Sequence, residues 1–439
     1  MTQTPIIVCK YGGSSVTSEA DAKHIRYITL DDSRRKIIVV SAPGKRFKED
    51  EKITDMLINL SANPKNSVLF DKIMERYSAF RNTMINAADI LKERLRMDLE
   101  GKEYRDAVVS FGEEACARVL ADINGWEYVD PSEWCSMNPP FSAGTILPIA
   151  EERARKRFGN LDHIVVTPGF YGRTLDGKLI TLDRNLSDLT GSYLAAAINA
   201  SMYENFTDSA ILAASPEMVD NPRKIEELVY AEAGDLTYSG FNILHDQAML
   251  PVELAGVPIH VRSTKKYPEI GTLIKSSREL DPSRPIVGVA YKPGFYYTYV
   301  NRTGLDRMPA LIHRLTGVFA EEGIDLLNDP GAINEISFLY HRDDVKSEKQ
   351  LRRIEEKIYN TVGREGTTLT TRNRIGVIAV SGMGIMGRMG RISGEIEHAL
   401  DEAGVEPETF CPGRRCILYC VNEFDGIKAV RAIYDRFLK

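Results

Sequence analysis

Lys10-Tyr-Gly-Gly-Ser-Ser15 sets an ammonium at the end of an apolar strand, directly before two residues whose amides no Cβ obstructs. Fixed amide dipoles and a Lys charge stabilise an anion, and a phosphate suits such a turn. A Lys in that place is awkward unless something anionic waits for it. The turn also occurs as plain structure, so alone it names no ligand. A second cluster, Thr181-Leu-Asp-Arg-Asn-Leu-Ser-Asp-Leu-Thr190, runs into a helical stretch from Gly191 to Ala200. Ser187 is a natural N-cap there, and Asp188 in the first turn complements the macrodipole. Three further groups read two ways on their own. Glu113 is a first-turn helix acid or a ligand carboxylate. Arg184 beside Asp183 is an exposed pair or a guanidinium fork. Thr54-Asp55 is an ordinary helix start or a hydroxyl aimed at a site.

The elements that must position these residues follow one pattern. Pro5 to Lys10 is an apolar, β-branched run that stops at Gly12-Gly13-Ser14-Ser15. Lys36-Ile-Ile-Val-Val-Ser41 ends in Ala-Pro-Gly, and His163-Ile-Val-Val-Thr167 ends in Pro168-Gly169-Phe170-Tyr171-Gly172. Residues from about 68 to 99 have helical spacing with no internal Gly or Pro, which predicts long helices. Strand, glycine turn and helix repeat to about residue 275. This is an α/β sheet with helices on both faces, an architecture that places ligands at the carboxyl ends of its strands. Lys275 to Arg284, with Asp281-Pro282, reads as a linker.

Beyond it the texture changes. Ile286 to Ala290 and Tyr296 to Val300, the helix Pro309 to Glu322 and the strand Glu335 to Tyr340 form one set. Arg374 to Val380, Ile392 to Ala403 and Arg415 to Val421 form a second in the same order. Such weak internal duplication predicts twin modules.

Composition narrows the function class. The 439 residues are 43% hydrophobic and 27% charged, with a formal net charge of −6. That suits a globular protein with a full core and argues against a nucleic-acid partner. No apolar run approaches the ~20 residues that cross a bilayer, and the opening residues lack the pattern of a secretory signal. Cys9, Cys116, Cys135, Cys411, Cys416 and Cys420 form no Cys-x-x-Cys pair, and the seven histidines show no zinc-type spacing. Scattered thiols fit a reducing cytoplasm, so a cytoplasmic protein is expected.

Taken in order, the clusters resemble the aspartokinases. Lys10-Tyr-Gly-Gly-Ser-Ser-Val16 is similar to their opening Lys-Phe-Gly-Gly-Thr/Ser-Ser. Ser41-Ala-Pro-Gly-Lys with Lys52-Ile-Thr-Asp55 resembles their second loop in its clostridial-like form. Ser110-Phe-Gly-Glu113, Thr167-Pro-Gly-Phe-Tyr-Gly172, Arg184 with Ser187-Asp188, and Phe206-Thr-Asp208 follow in the family's order. Each motif is weak; their joint order is specific.

The resemblance implies an amino-acid-kinase-type three-layer sandwich over residues 1–280, and a regulatory region, 285–439, of two βαββαβ ACT-like modules. Those modules would span about 305–370 and about 374–439, with 285–300 pairing with the latter. It implies transfer of the ATP γ-phosphoryl group to the side-chain carboxylate of L-aspartate, with Mg²⁺ accompanying ATP. By similarity Lys10 is the cation at the transferring group, assisted by amides at Gly12 and Gly13, and Asp188 organises Lys10. Arg184 takes the substrate α-carboxylate and Glu113 the α-ammonium, while Ser41, Thr54 and Ser187 bond the reacting carboxylate. Thr207 and Asp208 contact the nucleotide. A homodimer and an amino-acid effector at the ACT-like modules are the family's default.

Four positions depart from the pattern: Asn185 and Leu186 stand where the family has glycines, Glu217 where it has an Arg, and Asn242 where it has a Lys. Two readings follow. One is a working kinase with rearranged phosphate cations, Arg223 or Lys224 among them. The other is a catalytically weakened paralogue that senses an amino acid. Finally, Gly382-Met-Gly-Ile-Met-Gly387 is a formal G-x-G-x-x-G after a strand, with Glu406 about 20 residues on, which would suit a dinucleotide. The residues that remain are too few to complete both halves of such a fold, so the motif reads as an ACT strand-to-helix turn.

Overall fold

The computed structural model describes residues 5–47, 49–183, 186–238, 240, 241, 244, 246–328 and 331–439. The chain forms two compact units. Unit 1 comprises Met1–Ile211, Lys224–Thr237 and Asn242–Arg278; unit 2 comprises Leu212–Arg223, Tyr238–Phe241 and Glu279–Lys439. The expected single boundary near 280 is therefore incomplete, because two segments that precede the linker fold with the second unit.

In unit 1, β1 (Ile7–Tyr11) leads through its glycine turn to α1 (Glu19–Leu30) and β2 (Arg35–Val40). The helices α2 (Ile53–Ala62), α3 (Ser67–Tyr77), α4 (Ala87–Leu95), α5 (Gly101–Val109) and α6 (Phe111–Asn124) follow. Next come β3 (Glu127–Tyr128), the small hairpin of β4 (Met137–Asn138) and β5 (Thr145–Ile146), α7 (Ile149–Phe158) and β6 (Val165–Pro168). A second hairpin, β7 (Tyr171–Arg173) and β8 (Leu179–Thr181), precedes α8 (Ser187–Ala197) and β9 (Met202–Thr207). β10 (Glu227–Val229), α9 (Tyr230–Tyr238), α10 (Asp246–Ala255), β11 (Ile259–Ser263) and β12 (Thr272–Lys275) complete the set.

Eight strands form one sheet in the order β10-β12-β11-β9-β1-β2-β6-β3. Its pairs are parallel except β11 with β12. β1 is buried along its whole length, as a central parallel strand covered on both faces must be. α1 and α6 pack together, while α8 packs with α7 and α10. The result is a three-layer sandwich whose parallel strands all deliver their carboxyl ends to one edge. The long helical region expected from 68 to 99 is broken: Ser78 closes α3 and the Asn86 side chain caps α4.

Unit 2 holds a second, antiparallel sheet in the order β14-β16-β13-β17-β19-β18, with β15 (Gly331–Ala332) on β16. Its strands are β13 (Gly288–Arg302), β14 (Leu326–Asn328), β16 (Glu335–His341), β17 (Thr367–Ser381), β18 (Thr409–Pro412) and β19 (Cys416–Asn422). The helices are α11 (Leu311–Glu321), α12 (Glu348–Val362), α13 (Met389–Glu402) and α14 (Gly426–Phe437). β16 pairs only with the second half of β13, and β19 only with the second half of β17. The first half of β13 joins the second half of β17, Gly288 opposite Ser381 and Ala290 opposite Ala379. Two βαββαβ modules thus share two long strands. Where the sequence reads as two short strands around Pro293-Gly294, the structure keeps one strand with a bulge between Lys292 and Phe295. Leu315, Phe319, Phe338, Ile354 and Ile358 fill the first module's core; Ile392, Ile396, Val430 and Ile433 are buried in the second.

Candidate active site

Lys10 lies near the carboxyl end of β1, almost fully buried, and its ammonium pairs with the Asp188 carboxylate in the first turn of α8. Tyr203 steadies that turn by donating to the Asp188 carbonyl at 3.2 Å. Beside them, Ser41 just beyond β2 donates to the Ser187 hydroxyl at 2.8 Å. Ser187 therefore does not cap its helix as its sequence position suggests; it is the first helical residue, and Leu186 occupies the cap with no side-chain bond.

The loops after β1 and β2 interlock through glycine backbones. Gly44 N–H donates to the Gly13 carbonyl at 2.8 Å. A Cβ on Gly13 would lie 2.6 Å from the Ala42 carbonyl oxygen, and one on Gly44 2.4 Å from the Gly13 carbonyl carbon. Neither loop has room for a side chain.

Glu113, in the first turn of α6, is buried; its Oε1 accepts the Ala42 N–H at 3.2 Å, and its Oε2 has no hydrogen-bond partner. Burial pushes its carboxyl up to about 7, against the lowering pull of the Ala42 N–H and the Lys10 charge. A buried oxygen left unsatisfied is costly, and a ligand that donates there recovers that cost. α2 brings Thr54, half-buried, alongside: its Ile53 and Leu57 pack against Gly112, the residue before Glu113.

A third group gathers at β9 and β11. Gly12 N–H donates to the Phe206 carbonyl at 3.1 Å, which ties the first glycine turn to the strand that carries Thr207. Ser263 Oγ donates to the Asp208 carbonyl at 2.9 Å, and the Ser15 and Thr264 hydroxyls lie 2.6 Å apart. Sequence reasoning missed Ser263 and Thr264, although a hydroxyl pair ending the alternating run Ile259–Ser263 was a usable signal. Lys10, Gly12, Gly13, Ser41, Thr54, Glu113, Ser187, Asp188, Thr207 and Asp208 thus come from elements joined at one edge of the sheet. Arg184, Asn185 and Asn242 lie outside the described residues.

The amino acid kinase family model matches residues 5–263. Aspartokinase 3 of Bacillus subtilis strain 168 is 32% identical, with 98% of both chains covered. The chain belongs to the aspartokinases. The crystal structure of Clostridium acetobutylicum aspartate kinase superposes with a TM-score of 0.88 at 28% identity, covering 98% of this chain and 100% of that one. Escherichia coli aspartokinase III, solved with aspartate and ADP, shares the fold with a TM-score of 0.77 at 19% identity.

In this aspartokinase the departures from the family pattern fall in different places. Leu186 is buried and caps α8, so its side chain serves packing. Glu217 is exposed and belongs to unit 2. Lys224, considered as a substitute phosphate cation, donates instead to the Ile270 carbonyl at 2.7 Å. The G-x-G-x-x-G segment also finds its reason. A Cβ on Gly382 would meet the Pro285 carbonyl oxygen at 2.2 Å, and one on Gly384 the Pro285 Cα at 2.3 Å. Those glycines admit a neighbouring backbone. The six cysteines form no disulfide among the described residues, and no helix among them is long and apolar enough to cross a membrane.

Proposed function

We propose that this aspartokinase transfers the γ-phosphoryl group of ATP to the side-chain carboxylate of L-aspartate, forming 4-phosphoaspartate for aspartate-family amino-acid biosynthesis, including that of lysine. The reactants are both anionic, so catalysis consists of holding them in line and neutralising charge that spreads in the transition state. Lys10 supplies the cation at the transferring group, held in place by Asp188, and the Gly12 and Gly13 amides assist. Arg184 grips the α-carboxylate through a two-pronged fork. Glu113 receives the α-ammonium on its unpartnered oxygen. Ser41, Thr54 and Ser187 hydrogen-bond the reacting carboxylate, and Thr207 and Asp208 contact the nucleotide.

Among the described residues no group of three or more His, Cys, Asp or Glu is arranged to hold a metal. Mg²⁺ would arrive on ATP, since this ion is commonly held by phosphates, water and one or two carboxylates. Bound with ATP, it would offset phosphate charge, with Asp208 at the nucleotide as a residue that could contact that complex. An amino-acid effector at the ACT-like modules, a homodimer and a cytoplasmic location complete the reading.

The observation that carries it is the buried constellation itself: a Lys10–Asp188 ion pair beside a desolvated Glu113 oxygen that lacks a donor. The weakened-paralogue alternative is not favoured, because that constellation is formed. The test is aspartate-dependent ADP release with Mg²⁺, or trapping of the acyl phosphate by hydroxylamine. Lys10→Ala should lower kcat by at least about 10³-fold, the scale of a lost charge-stabilising donor. Activity that survives this substitution would remove Lys10 from the mechanism. A wild-type chain that aspartate stabilises against heat, yet that turns over no ATP, would sink the kinase reading.

A further inference from the structure

We infer that Asp106 is a positioning residue for the grip on the substrate α-carboxylate, because it fixes the end of β8 three residues before Arg184 in sequence, an inference that rests on the role proposed for Arg184. Asp106 sits in α5 with no exposed surface. Burying a carboxylate is expensive unless its lone pairs are filled. Among the described residues Asp106 has no cationic partner, and its acceptors are filled by two distant segments. Oδ2 accepts the Thr181 N–H at 2.9 Å and the Ser142 N–H at 2.7 Å. Oδ1 accepts the Thr181 hydroxyl at 3.1 Å and the Ser142 hydroxyl at 2.6 Å.

Both segments need holding. Ser142 has φ of 68°, a left-handed conformation unfavourable for a residue with a Cβ. Thr181 is the last residue of β8, and its carbonyl accepts the Gly144 N–H at 2.9 Å, so one carboxylate ties helix, loop and strand end together. Arg184 follows three residues later in the sequence, between Leu182 and Leu186. Leu182 N–H donates to the Phe170 carbonyl at 2.8 Å, and at the far end Leu186 is buried and Ser187 bonds Ser41. Asp106 is thus the electrostatic anchor of the end of β8.

The anchor also has a reference point. Asp106 stands seven residues before Glu113, and α5 meets α6 at Ser110 alone. The clamp therefore sets the end of β8, the strand that precedes Arg184 in sequence, against the helix of Glu113; Arg184 and Glu113 are the groups assigned to the α-carboxylate and the α-ammonium. Misplacing such a group by about 1 Å can cost a hundredfold. A residue that only stabilised the fold would not distinguish the two substrates.

Steady-state kinetics with aspartate and Mg-ATP varied separately test this. Asp106→Asn should raise KM for aspartate about tenfold or more, leaving KM for ATP and kcat within about threefold. Thr181→Val, which keeps the backbone N–H bond and loses only the hydroxyl, should raise the same KM about threefold; it carries the test if Asp106→Asn fails to fold. Arg184→Ala should raise KM for aspartate strongly, and Thr181→Val or Asp106→Asn should add less than about twofold in that background. Effects that multiply with those of Arg184→Ala, or that fall equally on both substrates, overturn the positioning role while leaving Arg184 in place. An Arg184→Ala variant with unchanged KM for aspartate overturns the role of Arg184 and this inference with it.

Discussion

Glu113 shows how one buried carboxyl ties binding to pH. Its folded-state value of about 7 lies above the ordinary 4.5, and desolvation is the main cause. Ionising it in the empty site therefore costs on the order of 3 kcal/mol. Because the folded value is raised, the penalty is absent below about pH 4.5, builds as pH climbs to about 7, and stays constant above. An arriving ammonium favours the ionised form and pulls the value down. Aspartate binding should then release close to one proton at pH 6 and almost none at pH 8.5. Its affinity should fall roughly tenfold for each pH unit below 7. Titration calorimetry in buffers of different ionisation enthalpy measures the proton directly. Glu113→Gln should abolish the release, weaken aspartate binding, and melt higher than wild type at pH 8 but not at pH 4.5. Proton release that stays flat from pH 6 to 8.5 would contradict the assignment. Residues of this kind were legible in the sequence because they stand beside glycines at strand ends or helix starts. Asp106 was not: in Tyr104-Arg-Asp-Ala it looks like an ordinary helical charge, and its partners lie 36 and 75 residues away.

Between elements, the tightest geometry is where the loops after β1 and β2 meet. Gly44→Ala places a Cβ 2.4 Å from the Gly13 carbonyl carbon and 2.5 Å from Ser14 N, so the two backbones must separate. That displaces the amides beside Lys10 and the Ser41-Ala42 segment together. kcat/KM should fall about a hundredfold, while the melting temperature drops only a few degrees, because the disturbance sits at strand ends outside the core. Gly177→Ala is the control. Its φ of 88° makes alanine strained, yet open space surrounds it, so stability should fall by about 1 kcal/mol with kinetics unchanged. Equal kinetic losses in both variants would mean that the β1–β2 interlock has no special part. Elements such as β1, β2 and β6 were readable as continuous apolar runs ending in glycine. The break between α3 and α4 was not, since no Gly or Pro marks it. There Ser78 and Asn86 end and begin helices through local polar bonding, which competes with helix continuation but leaves only a faint trace in composition. Pro293-Gly294 misled in the opposite direction: a breaker by type, it is absorbed as a bulge because β17 pairs on either side of it.

On the scale of the molecule, the polar linker near residue 280 invites a cut there, and the fold argues against one. Leu212–Arg223 is a part of unit 2 by packing, although it follows β9 and Asp208 in the chain. Val289 N–H donates to the Ala213 carbonyl at 2.9 Å, Arg223 N–H to the Tyr434 hydroxyl at 2.8 Å, and Arg431 Nε to the Met218 carbonyl at 2.6 Å. Ala213 and Ala214 are fully covered. A fragment ending at Arg278 keeps this segment and loses every one of those partners. Each bond contributes about 1 kcal/mol net, and the uncovered apolar surface adds to the loss. The fragment should begin to unfold roughly 10 °C below the full chain and should retain little aspartate-dependent activity. Tyr434→Phe in the full chain is a graded version, removing one acceptor without cutting anything, and should shift the melt in the same direction by a few degrees at most. If the fragment matched the full chain in melting temperature and turnover, the segment would be a free loop of unit 1, and the division of the chain would revert to the single boundary that its linker suggests.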